Sequence, residues 1–148
     1  MRTRSLAFLL GLGLLAAGCG SGGGGSASGG SGSSGGRPYT AAATAPCLTQ
    51  QGFTGVTTRP ADVGLVAAFA DNGGLKATAP DGATVTIAFA KDSDAVAGTE
   101  DVFRKHASMR YRNHMQDIMS VANNAVLVWS QAPAQQQHDL VIGCLHHS

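Results

Sequence analysis

The sequence predicts a small α+β domain, a single two-layer sandwich of one sheet and several helices. Apolar and polar residues alternate in two hairpin-like stretches at 75–90 and 117–130, the period of half-buried strands. Helical spacing appears between and after them. The predicted order is strand, helix, strand, strand, helix, strand, strand, helix. This order suits a ferredoxin-like split βαβ arrangement with an extra strand and a C-terminal helix.

The first predicted strand is the stretch FTGVTT, which ends before Pro60. Proline fits the first turn of a helix because the amide hydrogen it lacks has no partner there. Leu65, Val66 and Phe69 then follow helical spacing, and an Asn-Gly-Gly sequence ends the segment. We therefore expect one helix from Pro60 to the glycines.

The first hairpin turns at a Pro-Asp-Gly sequence and predicts a core strand after it. Val85, Ile87 and Phe89 alternate there with smaller or polar residues, so their side chains share one face. A second helix is expected to begin near Asp92 or Ser93, whose side-chain oxygens can accept hydrogen bonds from free backbone amides.

The second hairpin is predicted to turn at Asn123 and Asn124, because asparagine adopts the positive φ that tight turns need. Pro133 then opens the last predicted helix. Its apolar face comprises Val141, Cys144 and Leu145.

The N-terminus has the three parts of a secretory signal. Arg2 and Arg4 precede an apolar run at 6–15, and small residues follow it. The run is near half of the roughly 20 apolar residues that a membrane-spanning helix needs. Residues 1–18 are therefore predicted to be a signal peptide.

The signal ends in Leu-Ala-Ala-Gly-Cys at 15–19, which resembles the lipobox of bacterial lipoproteins. The resemblance covers residues 1–19. It implies that Cys19 receives a diacylglyceryl group, that cleavage follows on its N-terminal side, and that the protein is anchored by acyl chains such as palmitate at the outer face of the cell membrane. Two acyl chains anchor stably where one binds marginally. Cleavage by the ordinary signal peptidase, which would release the protein, is the alternative.

Residues 20–36 are glycine and serine except for Ala27. Such a segment cannot bury enough apolar surface to offset the entropy of ordering, so it predicts a flexible linker. Its random-coil reach is roughly 20 to 25 Å. We expect the lipidated cysteine and tether to occupy 19–46 and the globular domain to occupy 47–148.

If Cys19 is lipidated, Cys47 and Cys144 remain. An even pair in an exported domain predicts a disulfide, here closing the two ends of the domain. A redox-active or metal-binding pair is the weaker alternative because no CxxC spacing is present.

The mature chain is close to neutral, with eight basic residues after Arg2 and Arg4 are removed and nine acidic ones. Nothing in this balance favours a nucleic acid as partner. We also expect no cofactor.

A basic stretch near the middle of the chain is the first candidate site. The residues are Arg104, Lys105, Arg110 and Arg112. On a helix and its exit turn they can converge on a small anionic ligand such as a phosphate or carboxylate. The alternative is a solvated helix face with its cations near the C-terminal end, where the helix dipole favours them.

A second candidate site combines His114, Met115 and Met119, side chains that soft metals such as copper accept. The alternative is that the methionines fill the core.

Catalysis has less support. Acidic residues at the start of the second helix are explained by capping, and we identify no catalytic residue. The sequence predicts a membrane-anchored extracytoplasmic lipoprotein, more a binding or interaction module than an enzyme, with an envelope protein or small anionic ligand as partner. Alternatives are a copper- or zinc-binding lipoprotein that uses His and Met residues, and a small envelope hydrolase.

Overall fold

The computed structural model describes residues 37–147. The predicted signal peptide at 1–18, Cys19, the glycine-serine tract at 20–36 and Ser148 lie outside the described residues. The helices are α1 (Ala41–Gln50), α2 (Pro60–Val63), α3 (Leu65–Ala68), α4 (Val96–His106), α5 (Met109–Arg112), α6 (Met115–Ile118) and α7 (Gln135–His146). The strands are β1 (Thr54–Thr57), β2 (Gly74–Thr78), β3 (Thr84–Phe89), β4 (Met119–Ala122) and β5 (Ala125–Trp129).

The five strands form one sheet in the order β1-β2-β3-β5-β4, and every neighbouring pair is antiparallel. The α+β class predicted from the sequence is therefore confirmed. Because β5 lies between β3 and β4, the segment from β3 through α4–α6 to β4 is a split βαβ unit. β1 and β2 pair directly, so the second split unit of a ferredoxin-like sheet is absent from residues 37–147.

Helices cover both faces of the sheet. Side chains at paired positions share a face, so Leu75, Ile87 and Leu127 lie side by side in the core. Helices α1 and α7 cover this face through a core that includes Leu48 and Val141. The sheet is thus the middle layer, and the prediction of two layers is wrong.

The opposite face is covered at one end by α2 and α3. Val63 and Ala67 pack there on Ala88. Gly74 permits this approach, since a Cβ atom at that position would overlap the backbone carbonyl of Ala67.

Helices α1 and α7 are joined by the predicted disulfide, which the structure contains. Cys47 and Cys144 have Cα atoms 5.5 Å apart and are 97 residues apart in sequence. Disulfides are typical of proteins outside the cytoplasm. Among residues 37–147, no helix is long and apolar enough to cross a membrane.

The tether predicted to continue to residue 46 ends earlier, because α1 begins at Ala41. Thr40 begins this helix by accepting a hydrogen bond from the amide of Ala43 at 3.3 Å, and Thr44 is fully buried. Pro46 lies inside α1. Because α1 contains this proline and mostly small side chains, its sequence shows no helical period of large apolar residues.

The single helix predicted after Pro60 is two short ones. Gly64 separates α2 from α3 with φ +85°, a conformation that only glycine adopts at low cost. The break turns the chain so that Val63 and Ala67 are buried, while Leu65 and Phe69 are 63% and 83% exposed. The apolar face read from the spacing of Leu65 and Phe69 is therefore not the packed face.

The second helix begins slightly later than expected. The Asp92 carboxylate accepts a hydrogen bond from the amide of Ala95 at 3.0 Å, which forms a turn ahead of Val96. The two hairpins and the last helix are confirmed, and Asn123 has the expected positive φ of 50°. The second hairpin begins at Met119, since Asp117 and Ile118 belong to α6, and the last helix begins at Gln135 rather than at Pro133.

Candidate functional site

A groove lies on the face of the sheet opposite α1 and α7. Lys76, Thr86 and Val128 occupy paired positions on β2, β3 and β5, so they form one row across three strands. Thr84 lies beside this row, two residues from Thr86 on the same face. We call this space the sheet groove, and its floor is this mixed polar and apolar row.

The walls of the sheet groove come from α5, α6 and the turn before them. They present Ala107, Tyr111, Met115 and Ile118, and the volume enclosed is about 390 Å³. Met115 and Ile118 are almost fully buried, so the wall is anchored in the core. Sites for small molecules are concavities of this size with apolar walls and a few placed polar groups.

The charge of the groove comes from Lys76. Its side chain is exposed and takes part in none of the ion pairs found among residues 37–147. Hydroxyl groups of Thr84, Thr86 and Tyr111 share the groove. An ammonium group beside hydroxyls and apolar walls suits a small anion that also carries an apolar part.

A second cavity of about 350 Å³ adjoins the groove, and Tyr111, Ile118 and Ser130 line both. Arg110 lines this second cavity, with its guanidinium 5.9 Å from the centroid of the Tyr111 ring. Lys76 and Arg110 thus line different cavities that share Tyr111, and the second cavity also has the carboxylate of Asp117.

The four predicted anion-binding residues lie on two helices and do not form one cluster. On α4, Arg104 pairs with Glu100 at 3.6 Å, and Lys105 pairs with Asp101 at 2.7 Å. These are the i,i+4 pairs of a solvated helix face. Of the four residues, Arg110 lines a cavity and takes part in none of the ion pairs found among residues 37–147.

Arg112 is used locally. Its Nε donates a hydrogen bond of 3.0 Å to the carbonyl of Ala107, which fixes the chain between α4 and α5. This guanidinium therefore stabilises the wall that carries Tyr111.

The three predicted metal ligands lie in different environments. Met115 and Met119 are 4% and 9% exposed and belong to the core, as the alternative for these residues predicts. The side chain of His114 is 70% exposed and lies 3.6 Å from the carboxylate of Asp117. Across 37–147, no three His, Cys, Asp or Glu side chains form a group that could hold a metal ion.

Apolar side chains are also exposed between α3 and α4. Leu65, Phe69 and Val102 line a shallow depression of about 600 Å³. Contiguous exposed apolar surface is common at contact sites, but this depression offers only Asp71 as a charged group.

Sequence reasoning missed Lys76 and Thr86 as site residues. The polar side of an amphipathic hairpin normally faces solvent, and the alternation of Thr84 and Thr86 with Val85 and Ile87 fits that interpretation equally well. The available signal was the length of the connection from β3 to β4, which is long enough to fold back over the sheet.

Comparisons of the chain with models of protein families, with curated proteins and with solved structures find no match. The functional argument therefore depends on the chain's own residues.

Proposed function

We propose that the protein is a lipid-anchored binding protein of the extracytoplasmic membrane face, and that its sheet groove holds a small amphiphilic anion. The observation that carries the proposal is the unpaired Lys76 on the floor of an apolar-walled groove. An organic carboxylate or phosphate would place its charge at Lys76 and its apolar part against Met115 and Val128.

The hydroxyls support the same ligand class. Thr84 and Thr86 can donate to a second oxygen of a carboxylate, while Lys76 contributes the charge. Ser130 fixes this corner, since its Oγ accepts a hydrogen bond of 2.9 Å from the amide of Thr84. The polar end of the groove is thus held by strands rather than by a loop.

Binding can be measured by isothermal titration calorimetry. We expect octanoate to bind in a saturable manner. Lys76→Met should weaken octanoate binding about tenfold or more, because a hydrogen bond to a charged group contributes about 1.5–3 kcal/mol and each 1.4 kcal/mol is tenfold in affinity. Binding of 1-octanol should change little.

Lys91→Met is the matched control, since Lys91 is an exposed lysine outside the groove and its loss changes the net charge equally. Equal weakening by both substitutions would mean that charge acts only at long range. If the unaltered protein shows no saturable binding of octanoate, the proposal that the sheet groove binds a small amphiphilic anion is wrong.

The anchor is tested separately. Cys19→Ala should move the protein from the detergent-soluble membrane fraction into the medium or periplasm, or leave it uncleaved, because the acyl chains have no attachment site. Cellular fractionation and intact mass measure this change. An unchanged distribution and mass would contradict the lipid anchor and leave the groove unaffected.

A further inference from the structure

Ser120 and His138 meet on the α7 side of the sheet, away from the sheet groove. Ser120 lies on the edge strand β4, and His138 lies in the first turn of α7. The Ser120 Oγ is 3.1 Å from the His138 Nε2. Both side chains line a cavity of about 260 Å³, which we call the α7 cavity.

A carboxylate lies on the other side of the imidazole. The Asp139 Oδ1 is 3.8 Å from the His138 Nδ1 and accepts a hydrogen bond of 2.8 Å from the Gln135 Nε2. The order hydroxyl, imidazole, carboxylate is that of a nucleophile, its general base and the group that orients the base. The Asp139 side chain is 64% exposed and 3.8 Å is longer than a hydrogen bond, so this contact has to shorten when a substrate binds. The His138 side chain is 27% exposed, so it is accessible from solvent without being fully hydrated.

An unpartnered donor provides independent support. The Nε1 of Trp129 is buried and has no hydrogen-bond partner among the described residues, and Trp129 is 2% exposed and lines the α7 cavity. Buried N–H groups without partners are rare in folded proteins. Because the register puts the indole on the α7 face of the sheet, a ligand oxygen bound in the α7 cavity would supply the missing acceptor.

The sheet register relates this donor to Ser120. Ser120 pairs with Leu127, and Trp129 is two residues further along the same strand. Its side chain is thus the diagonal neighbour of Ser120 on the same face, at a Cα separation of about 7–8 Å. The hydroxyl and the indole therefore belong to the same face of the sheet and border the same cavity.

We propose that the α7 cavity is an acyl-transfer site for esters with short acyl groups, with Ser120 as the nucleophile and His138 as the general base. The Ser120 Oγ forms a bond to the ester carbonyl carbon, and its proton passes to the His138 Nε2. The negative charge that develops on the carbonyl oxygen is directed to the indole N–H of Trp129.

Collapse of this intermediate breaks the bond to the alcohol, which leaves with the proton from His138. Water then attacks the acyl-Ser120 ester and gives its proton to the same imidazole, and the serine is regenerated as the carboxylic acid departs. The small volume of the cavity selects short acyl groups. Asp139 acts as a positioning residue that orients the imidazole through Nδ1.

The test is covalent labelling of the full-length protein with a fluorophosphonate probe, with the adduct located by peptide mass spectrometry. We expect one adduct, on Ser120. Ser120→Ala should abolish it, and His138→Gln should slow it by about 100-fold, the lower limit of a general-base contribution. Hydrolysis of p-nitrophenyl acetate should fall in parallel.

Ser108→Ala is the control, because Ser108 is an exposed serine outside the α7 cavity, and it should label and hydrolyse as the unaltered protein does. Asp139→Ala should slow labelling, and Asp139→Glu should restore it if the carboxylate orients His138. Thermal unfolding of each variant verifies its fold. Absence of an adduct on Ser120 in the unaltered protein, or equal labelling of Ser120 in His138→Gln, overturns the proposal.

Discussion

At the scale of single residues, Asn124 joins three parts of the chain. Its side-chain amide donates to the carbonyls of Tyr39 at 3.0 Å and Ala90 at 2.8 Å, and its Oδ1 accepts from the amide of Tyr39 at 2.7 Å. The residue is fully buried. One side chain thus connects the β4–β5 turn to the segment just before α1 and to the residue that follows β3.

We expect Asn124→Ala to lower the free energy of unfolding by about 2–4 kcal/mol, because each lost hydrogen bond contributes about 1 kcal/mol and buried partners remain unsatisfied. Asn123→Gly in the same turn should change it by less than about 0.5 kcal/mol, since glycine adopts the positive φ of this position readily. Urea denaturation measures both. Equal effects of the two substitutions would mean that the turn, and not the buried amide, is what matters.

At the scale of elements, α2 and α3 show how a short interruption changes the buried face. Gly64 breaks the helix with φ +85°. On the two sides of this break, Val63 is 2% exposed and Phe69 is 83% exposed. The larger side chain is therefore the one that contributes less to the core.

Phe69→Ser should accordingly leave the free energy of unfolding within about 0.5 kcal/mol of its original value. Val63→Ala on the buried side should lower it by about 1.5 kcal/mol or more, because two buried methyl-sized groups are lost at about 0.8 kcal/mol each and a cavity remains. Thermal and urea unfolding compare the two variants. A large loss with Phe69→Ser would show that its ring is covered in solution.

At the scale of the whole molecule, the domain begins before its first cysteine. Ala41 is 4% exposed, and its amide donates to the carbonyl of Asn72 at 3.2 Å. The hydroxyl of Tyr39 lies 2.9 Å from the Nδ1 of His146. The ends of the described chain are thus in contact, and residues 39–46 belong to the fold.

A chain that starts at Arg37 should therefore unfold with the same free energy as a chain that starts at Gly20. A chain that starts at Cys47 should be less stable by roughly 3 kcal/mol or more, because it loses the hydrogen bonds of Tyr39 and Ala41, about 1 kcal/mol each, and the burial of Ala41 and Thr44. Circular dichroism during urea unfolding measures this difference. Equal stability of the two chains would restore the boundary at residue 47.

The sequence was sufficient for the features that depend on local pattern. The alternation of Val85, Ile87 and Phe89 predicted a core strand, and all three are fully buried. Helix α1 escaped detection because Thr44 and Ala41 pack by their small size, and Pro46 is typical of a helix end. The sheet groove escaped it because covering the polar row requires tertiary folding of α5 and α6, which no local pattern encodes.

The bond between Cys47 and Cys144 also determines how the molecule would respond to mechanical load. If the N-terminus is held at a membrane while a partner pulls on the C-terminal helix, tension passes through the sulfur atoms and bypasses the 97-residue separation between the two cysteines. Unfolding then releases none of the roughly 330 Å of contour length in that loop, at about 3.4 Å per residue. The loop that the disulfide closes would therefore add no length under force.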